Sequence, residues 1–198
     1  MLNPFVDSAD LPATMHRFAN HALLVKAGII GDLITAVGII VLAVLLHALV
    51  AERRKPMAHV ALGLYILEAS LLAVSKIAVF VLLKISQEYT ANGDQSLEAM
   101  ARLALEAERF IYKMHIVPFG LGAILFYFLL HRSNAVPRWL SLWGLTTVPF
   151  VLCGAVWSAI GTVPVVLLAL AVLYVPFEFV AGIFILVKGI PSITRRKD

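Results

Sequence analysis

Two glutamates inside apolar runs carry the most suggestive chemistry in this chain. Glu68 and Glu178 each follow a tyrosine by about one helical turn, Tyr65 and Tyr174, and Pro176 stands two residues before Glu178. Two carboxyls that face each other in an apolar medium repel and desolvate one another, so they hold a shared proton or a cation between them. That is the chemistry of a proton relay or a cation site. The tyrosine hydroxyls have the spacing to hydrogen-bond to the carboxyls, and Pro176 frees the carbonyl of Val172 by removing a backbone donor. A structural alternative stands beside this reading, with two protonated carboxyls bonded to tyrosine or backbone and fixing helix register.

Asp32, Lys76 and His115 form a second group. An ionisable side chain in lipid costs a few kcal/mol on insertion scales (roughly 2.5–3.5 at a helix centre), so each needs a partner or water. Asp32 and Lys76 are expected to pair, with His115 as a neutral neighbour. The sharper alternative has His115 exchanging a proton or holding a ligand while Asp32 sets its charge.

The chain has six histidines. Bis-histidine haem in a helix bundle needs one imidazole from each of two facing helices at one depth, which His21 with His115, or His47 with His59, would satisfy. The second pair flanks a turn and fits interfacial histidines equally well. No cofactor is expected, haem b stands as the alternative, and no metal is assigned. The single cysteine, Cys153, excludes an internal disulfide, a four-thiolate zinc site and an iron–sulfur cluster within this chain. No metalloprotease, haem-attachment, nucleophile-elbow or phosphate-loop pattern occurs, so enzymatic chemistry has no specific support.

Such side chains meet only if long elements hold them at common levels. Of 198 residues, 61% are hydrophobic and 14% charged, more apolar surface than a water-soluble fold of this size can hide. A spanning helix needs about 20 mostly apolar residues, and five segments supply that length. They are expected near 22–50, 58–84, 109–130, 139–158 and 163–188. The fold class is an all-α polytopic transmembrane bundle, one domain over 1–198, with an extracytoplasmic loop and amphipathic helix at 85–108. Within that helix Leu97, Met100, Ala101, Ala104 and Leu105 share a side.

Orientation follows from lysine and arginine, which cytoplasmic loops retain. Arg53, Arg54 and Lys55, then Arg132 and Arg138, then Arg195, Arg196 and Lys197 alternate with acidic or uncharged connections. The N-terminus is therefore expected outside and the C-terminus inside, with an uncleaved first span. Counting inward from helix ends puts Asp32, Lys76 and His115 roughly 6–8 Å to the outer side of the midplane. Glu68 and Glu178 fall roughly 3–5 Å to the inner side. Lys26, Lys84, Lys113 and Lys188 lie near span ends and snorkel to water. The net charge of +4 comes from residues flanking apolar runs, which argues against nucleic acid as a partner. The small residues Ala27, Gly31, Thr35 and Gly38 share a side of the first span and suit close approach of a neighbouring helix.

The stretch Phe119–Leu145, reading FGLGAILFYFLLHRSNAVPRWLSLWGL, resembles the hallmark of a bacterial family of small multi-span membrane proteins known as a domain of unknown function. Tyr174–Ile190, reading YVPFEFVAGIFILVKGI, is similar to that family's final helix. The resemblance implies a helical bundle in the bacterial cytoplasmic (inner) membrane and makes Ser133, Pro137, Arg138 and Glu178 the matching positions. It implies no known reaction, and Ser141 stands where the family's glycine is expected. The function expected is a membrane accessory, scaffold or binding subunit with a small buried polar centre, partnered by lipid and by other subunits or a second copy. The alternatives are a proton- or cation-coupled transporter using Glu68 and Glu178, and a haem-binding redox subunit.

Overall fold

Lipid offers no hydrogen bonds to backbone, so apolar runs of this length must satisfy their own amides, and a helix does so within one segment. The computed structural model describes residues 6, 10–50 and 55–188. Glu52, Arg53 and Arg54 of the first basic turn, Asp7, and the basic tail at Arg195, Arg196 and Lys197 lie outside them. The described residues form helices and no strand: α1 (Leu11–Asn20), α2 (Ala22–Val50), α3 (Lys55–Asn92), α4 (Leu97–Met114), α5 (Ile116–Ser133), α6 (Arg138–Ile160), α7 (Val165–Val172) and α8 (Tyr174–Lys188). Five helical stretches are long and apolar enough to cross a membrane: Ala22–Val50, Lys55–Asn92, Leu97–Ser133, Arg138–Ser158 and Val165–Phe184. The protein is thus an all-α, multi-pass membrane protein, with five candidate spans among the described residues.

Prolines decide where two of those spans break. Pro118 and Pro176 have no amide to give the carbonyls of Met114 and Val172, and α4 and α7 end at those two residues. One residue later, at His115 and Leu173, the chain departs from the α-helix before α5 and α8 begin. Pro149 stands inside α6 without breaking it.

The connection expected at 85–108 is largely helical. α3 continues to Asn92, Gly93 takes a positive φ of 68°, and α4 starts at Leu97. At 38 residues α3 is about 57 Å long, against a hydrocarbon core of about 30 Å, so it projects well beyond the apolar zone.

The helices divide into two compact units, Met1–Ile40 with Leu67–His115, and Val41–Ile66 with Ile116–Asp198. α2 and α3 run through both. In the first unit, Met15 and Phe18 of α1 join Val79, Leu82 and Leu83 of α3 and Ala101 and Leu105 of α4 in a buried apolar cluster. α1 begins with Asp10, whose side chain accepts from the amide of Ala13 at 2.9 Å. In the second unit α6 packs against α5, α7 and α8.

Glycine permits the closest approaches there. A Cβ on Gly144 would stand 2.5 Å from Phe177 Cζ, and one on Gly122 would stand 2.7 Å from Tyr65 Cδ2. The small-residue side of α2 behaves differently. Ala27, Gly31, Thr35 and Gly38 are exposed, and a Cβ on Gly31 or Gly38 would meet nothing within 4 Å. Small side chains permit a helix contact without providing one, and among the described residues none covers that side.

Candidate functional site

The first unit gathers its charged groups on three helices. Lys76 of α3 is 4% exposed, and its Nζ lies 2.8 Å from Oδ2 of Asp32 on α2, which is 28% exposed. The ammonium also sits over the ring of Tyr112 from α4, 5.2 Å from its centroid, where the negative face of the ring attracts a cation. Glu108, one turn before Tyr112, is buried within electrostatic range of both Lys76 and Asp32. His115 closes α4. Its Nδ1 bonds to the carbonyl of Tyr112, its ring packs on that of Tyr112 at 4.7 Å between centroids, and it interacts electrostatically with Lys76 and Asp32.

Asp32, Lys76 and His115, grouped by depth counting, therefore share one unit and one neighbourhood. Glu108 and Tyr112 complete it and were not selected from sequence. Glu108 lies among Glu98, Arg102, Glu106, Arg109 and Lys113, a run that reads as a solvated face. The usable signal was helical spacing, because Ala101, Ala104, Leu105 and Glu108 form the buried side of α4.

The second unit builds a centre of hydroxyls and rings. The hydroxyls of Tyr127 on α5 and Tyr174 on α8 lie 2.6 Å apart and are buried. Glu178 lies one turn further along α8, within side-chain interaction range of Tyr174. Tyr65 meets Phe119 edge-on at 6.0 Å and Phe126 at 5.2 Å, while Tyr174 meets Phe119 at 5.6 Å. Phe177 packs on Tyr127 at 5.0 Å and on Trp143 at 6.0 Å. Tyr65 and Tyr174 thus flank the same ring, and Glu178 lies one turn beyond Tyr174. Glu178 itself is exposed, whereas Glu68 is 6% exposed and belongs to the first unit.

The turn between α5 and α6 is held by the residues that carried the family resemblance. Ser133 Oγ donates to the carbonyl of Leu130 at 3.2 Å and accepts from the amide of Ala135 at 3.3 Å. Asn134 has a positive φ of 53°, a conformation asparagine tolerates, and its Oδ1 accepts from Arg138 Nε at 3.2 Å. Pro137 caps α6, and Ser141, 2% exposed, donates to the carbonyl of Arg138 and contacts His131 Nδ1, both at 3.0 Å. A glycine at 141 would lack the hydroxyl that ties the two helices here. The family model described as "Domain of unknown function (DUF4386)" matches residues 1–189. The chain belongs to this family. No curated protein and no solved structure matches it.

The turn connects α5 to α6, while both polar centres lie elsewhere. The histidines once grouped as haem pairs are placed as follows. His21 follows α1 and its Nδ1 faces the carbonyl of Arg17 at 3.0 Å, just as His115 faces that of Tyr112. His47 and His59 have ring centroids 4.9 Å apart at 55°. Among the described residues no group of three or more histidine, cysteine or acidic side chains is placed to hold a metal ion.

Proposed function

We propose that this protein is an accessory or binding subunit of the bacterial cytoplasmic membrane, N-terminus outside and C-terminus inside, whose first polar centre locks helices together. The observation that carries this reading is the closed pair of Asp32 and Lys76 at 2.8 Å, with the ammonium capped by Tyr112. A buried ammonium already met by a carboxylate and a ring has its charge satisfied within the chain, which is what a lock requires. The spans that leave most of their apolar surface exposed, Ala22–Val50 and Val165–Phe184 above all, support a role beside lipid and other membrane subunits or a second copy.

The deciding experiment reconstitutes wild type and the Asp32→Asn/Lys76→Met double variant in liposomes with a proton-sensitive dye. A lock gives equal proton flux in both and a double variant that folds. Wild-type uptake that the double variant abolishes while still folded overturns the reading. Reporter tags on the two termini test the orientation, and finding both on one side overturns it.

One observation favours a second reading, a proton-coupled carrier. The hydrogen-bonded pair Tyr127 and Tyr174, with Glu178 one turn along α8 from Tyr174, has the composition of a short proton wire. In that case wild-type liposomes take up protons, and Glu178→Gln, Tyr174→Phe and the companion variant Glu68→Gln slow uptake without loss of fold. Uptake unchanged in Glu178→Gln removes this reading.

A further inference from the structure

His47, in the last turn of α2, has a buried Nε2 with no hydrogen-bond partner among the described residues. A buried ring nitrogen left in this way costs free energy, and its neighbour indicates what meets it. His59, near the start of α3, lies with its ring centroid 4.9 Å away at 55°, a tilt that rules out stacking. Its Nδ1 is 2.7 Å from the carbonyl oxygen of Lys55. A carbonyl only accepts, so in the neutral ring Nδ1 carries the proton and Nε2 keeps its lone pair. Donation of the second ring N–H to a backbone carbonyl is the support that metal-bound histidines commonly have, because it fixes the ring and raises the basicity of the coordinating nitrogen.

We propose that His47 and His59 chelate a divalent transition-metal ion of the imidazole-preferring group, such as zinc, and that this clamps α2 to α3 at their connection. Zinc binds imidazole nitrogen at about 2.0–2.1 Å, and two rings with centroids 4.9 Å apart are near enough for one nitrogen of each to share an ion. Water fills the remaining positions, as at zinc sites that keep open coordination. Both residues belong to the segment Val41–Ile66, so the site is local to one helical hairpin. It is separate from both polar centres and rests on neither proposed function.

The test uses the full chain, without a histidine tag, in detergent micelles, with zinc alone as the probe. Wild type is expected to bind one zinc per chain and to show a raised melting transition by tryptophan fluorescence, which reports the second unit because Trp139, Trp143 and Trp157 all lie there. His47→Ala and His59→Ala are each expected to weaken binding on the order of 10–100-fold, while His16→Ala leaves it unchanged. Magnesium, which prefers oxygen ligands, gives no shift. His59 is exposed, so its substitution leaves the fold intact even if that of His47 does not. No zinc uptake by wild type, uptake unchanged in His59→Ala, or one zinc per two chains each overturns the proposal.

Discussion

In the first unit a charge is met by a charge. Lys76 is almost completely enclosed, Asp32 supplies opposite sign from α2, and Glu108 of α4 is buried within electrostatic range. In the second unit hydroxyls meet hydroxyls and rings meet rings, over glycines that let α5, α6 and α8 come close. The contrast shows two ways of joining helices where apolar side chains alone give little preference for a neighbour over lipid. Ion pairing is strong but leaves a costly residue when one member is lost. Backbone proximity filled by aromatic rings is less exacting electrically and more exacting in shape.

Breaking the charge pair has the largest expected effect. Lys76→Met leaves Asp32 without its cation, and a loss of about 3 kcal/mol follows, at the low end of the range for buried pairs because Asp32 is 28% exposed. Hydrogen exchange should report lost protection in α2 to α4, and adding Asp32→Asn should restore most of it. A single variant as protected as wild type would show that apolar packing, and not charge, holds the first unit.

Shape comes next. Gly144→Ala places a methyl group against Phe177 and Tyr127, and overpacking of this kind costs about 1–3 kcal/mol. The tryptophan-monitored transition should fall accordingly. Gly31→Ala, on the open side of α2, should instead gain up to about 1 kcal/mol from helix propensity. Equal effects at the two glycines would erase the distinction between a filled and an open helix face.

A smaller effect is expected at Tyr127→Phe, which removes the hydroxyl 2.6 Å from that of Tyr174 and should cost about 1 kcal/mol. Calorimetric or denaturant unfolding can read it, and an unchanged stability would mean that Tyr174 finds a replacement partner.

The smallest lies outside the spans, at the start of α4. The Ser96 side chain, and then its amide at 2.9 Å from Asp94 Oδ1, hold the Asp94 carboxyl below its ordinary value of 3.8. A carboxyl whose folded value is depressed contributes fully above the unfolded value and loses its contribution as pH falls through the folded one. Exchange of the Ser96 amide should therefore be slow near neutrality and rise, relative to Asp94→Asn, only below about pH 4. A wild-type amide no slower than that of Asp94→Asn at neutral pH, or a difference that persists unchanged below about pH 4, would point to a cause other than titration.

Much of this protein could be read without coordinates, for identifiable reasons. An apolar run of 20 or more residues has few folds open to it in lipid, so α2, α3 and α6 follow from composition and length. Lys76 and Asp32 could be grouped because a charge in such a run needs an opposite charge at its own level, and helical rise converts residue number into level. The starts of α3 and α4 were marked by Pro56 and by the Asn92-Gly93 break.

Other features depend on neighbours that no local pattern names. Glu108 is buried only because α3 continues to Asn92 and gives α1 and α4 a surface to pack on; its own segment carries charge enough to look solvated. The closeness of Gly144 to Phe177, against the openness of Gly31, depends on which helix lies opposite, and a glycine reads the same in both places. Composition and helical rise thus indicated five helices long and apolar enough to cross lipid, and a partner for Lys76 in Asp32. Only the tertiary structure decided which of those groups touch, because contact is a property of two helices packed together and periodicity is a property of one.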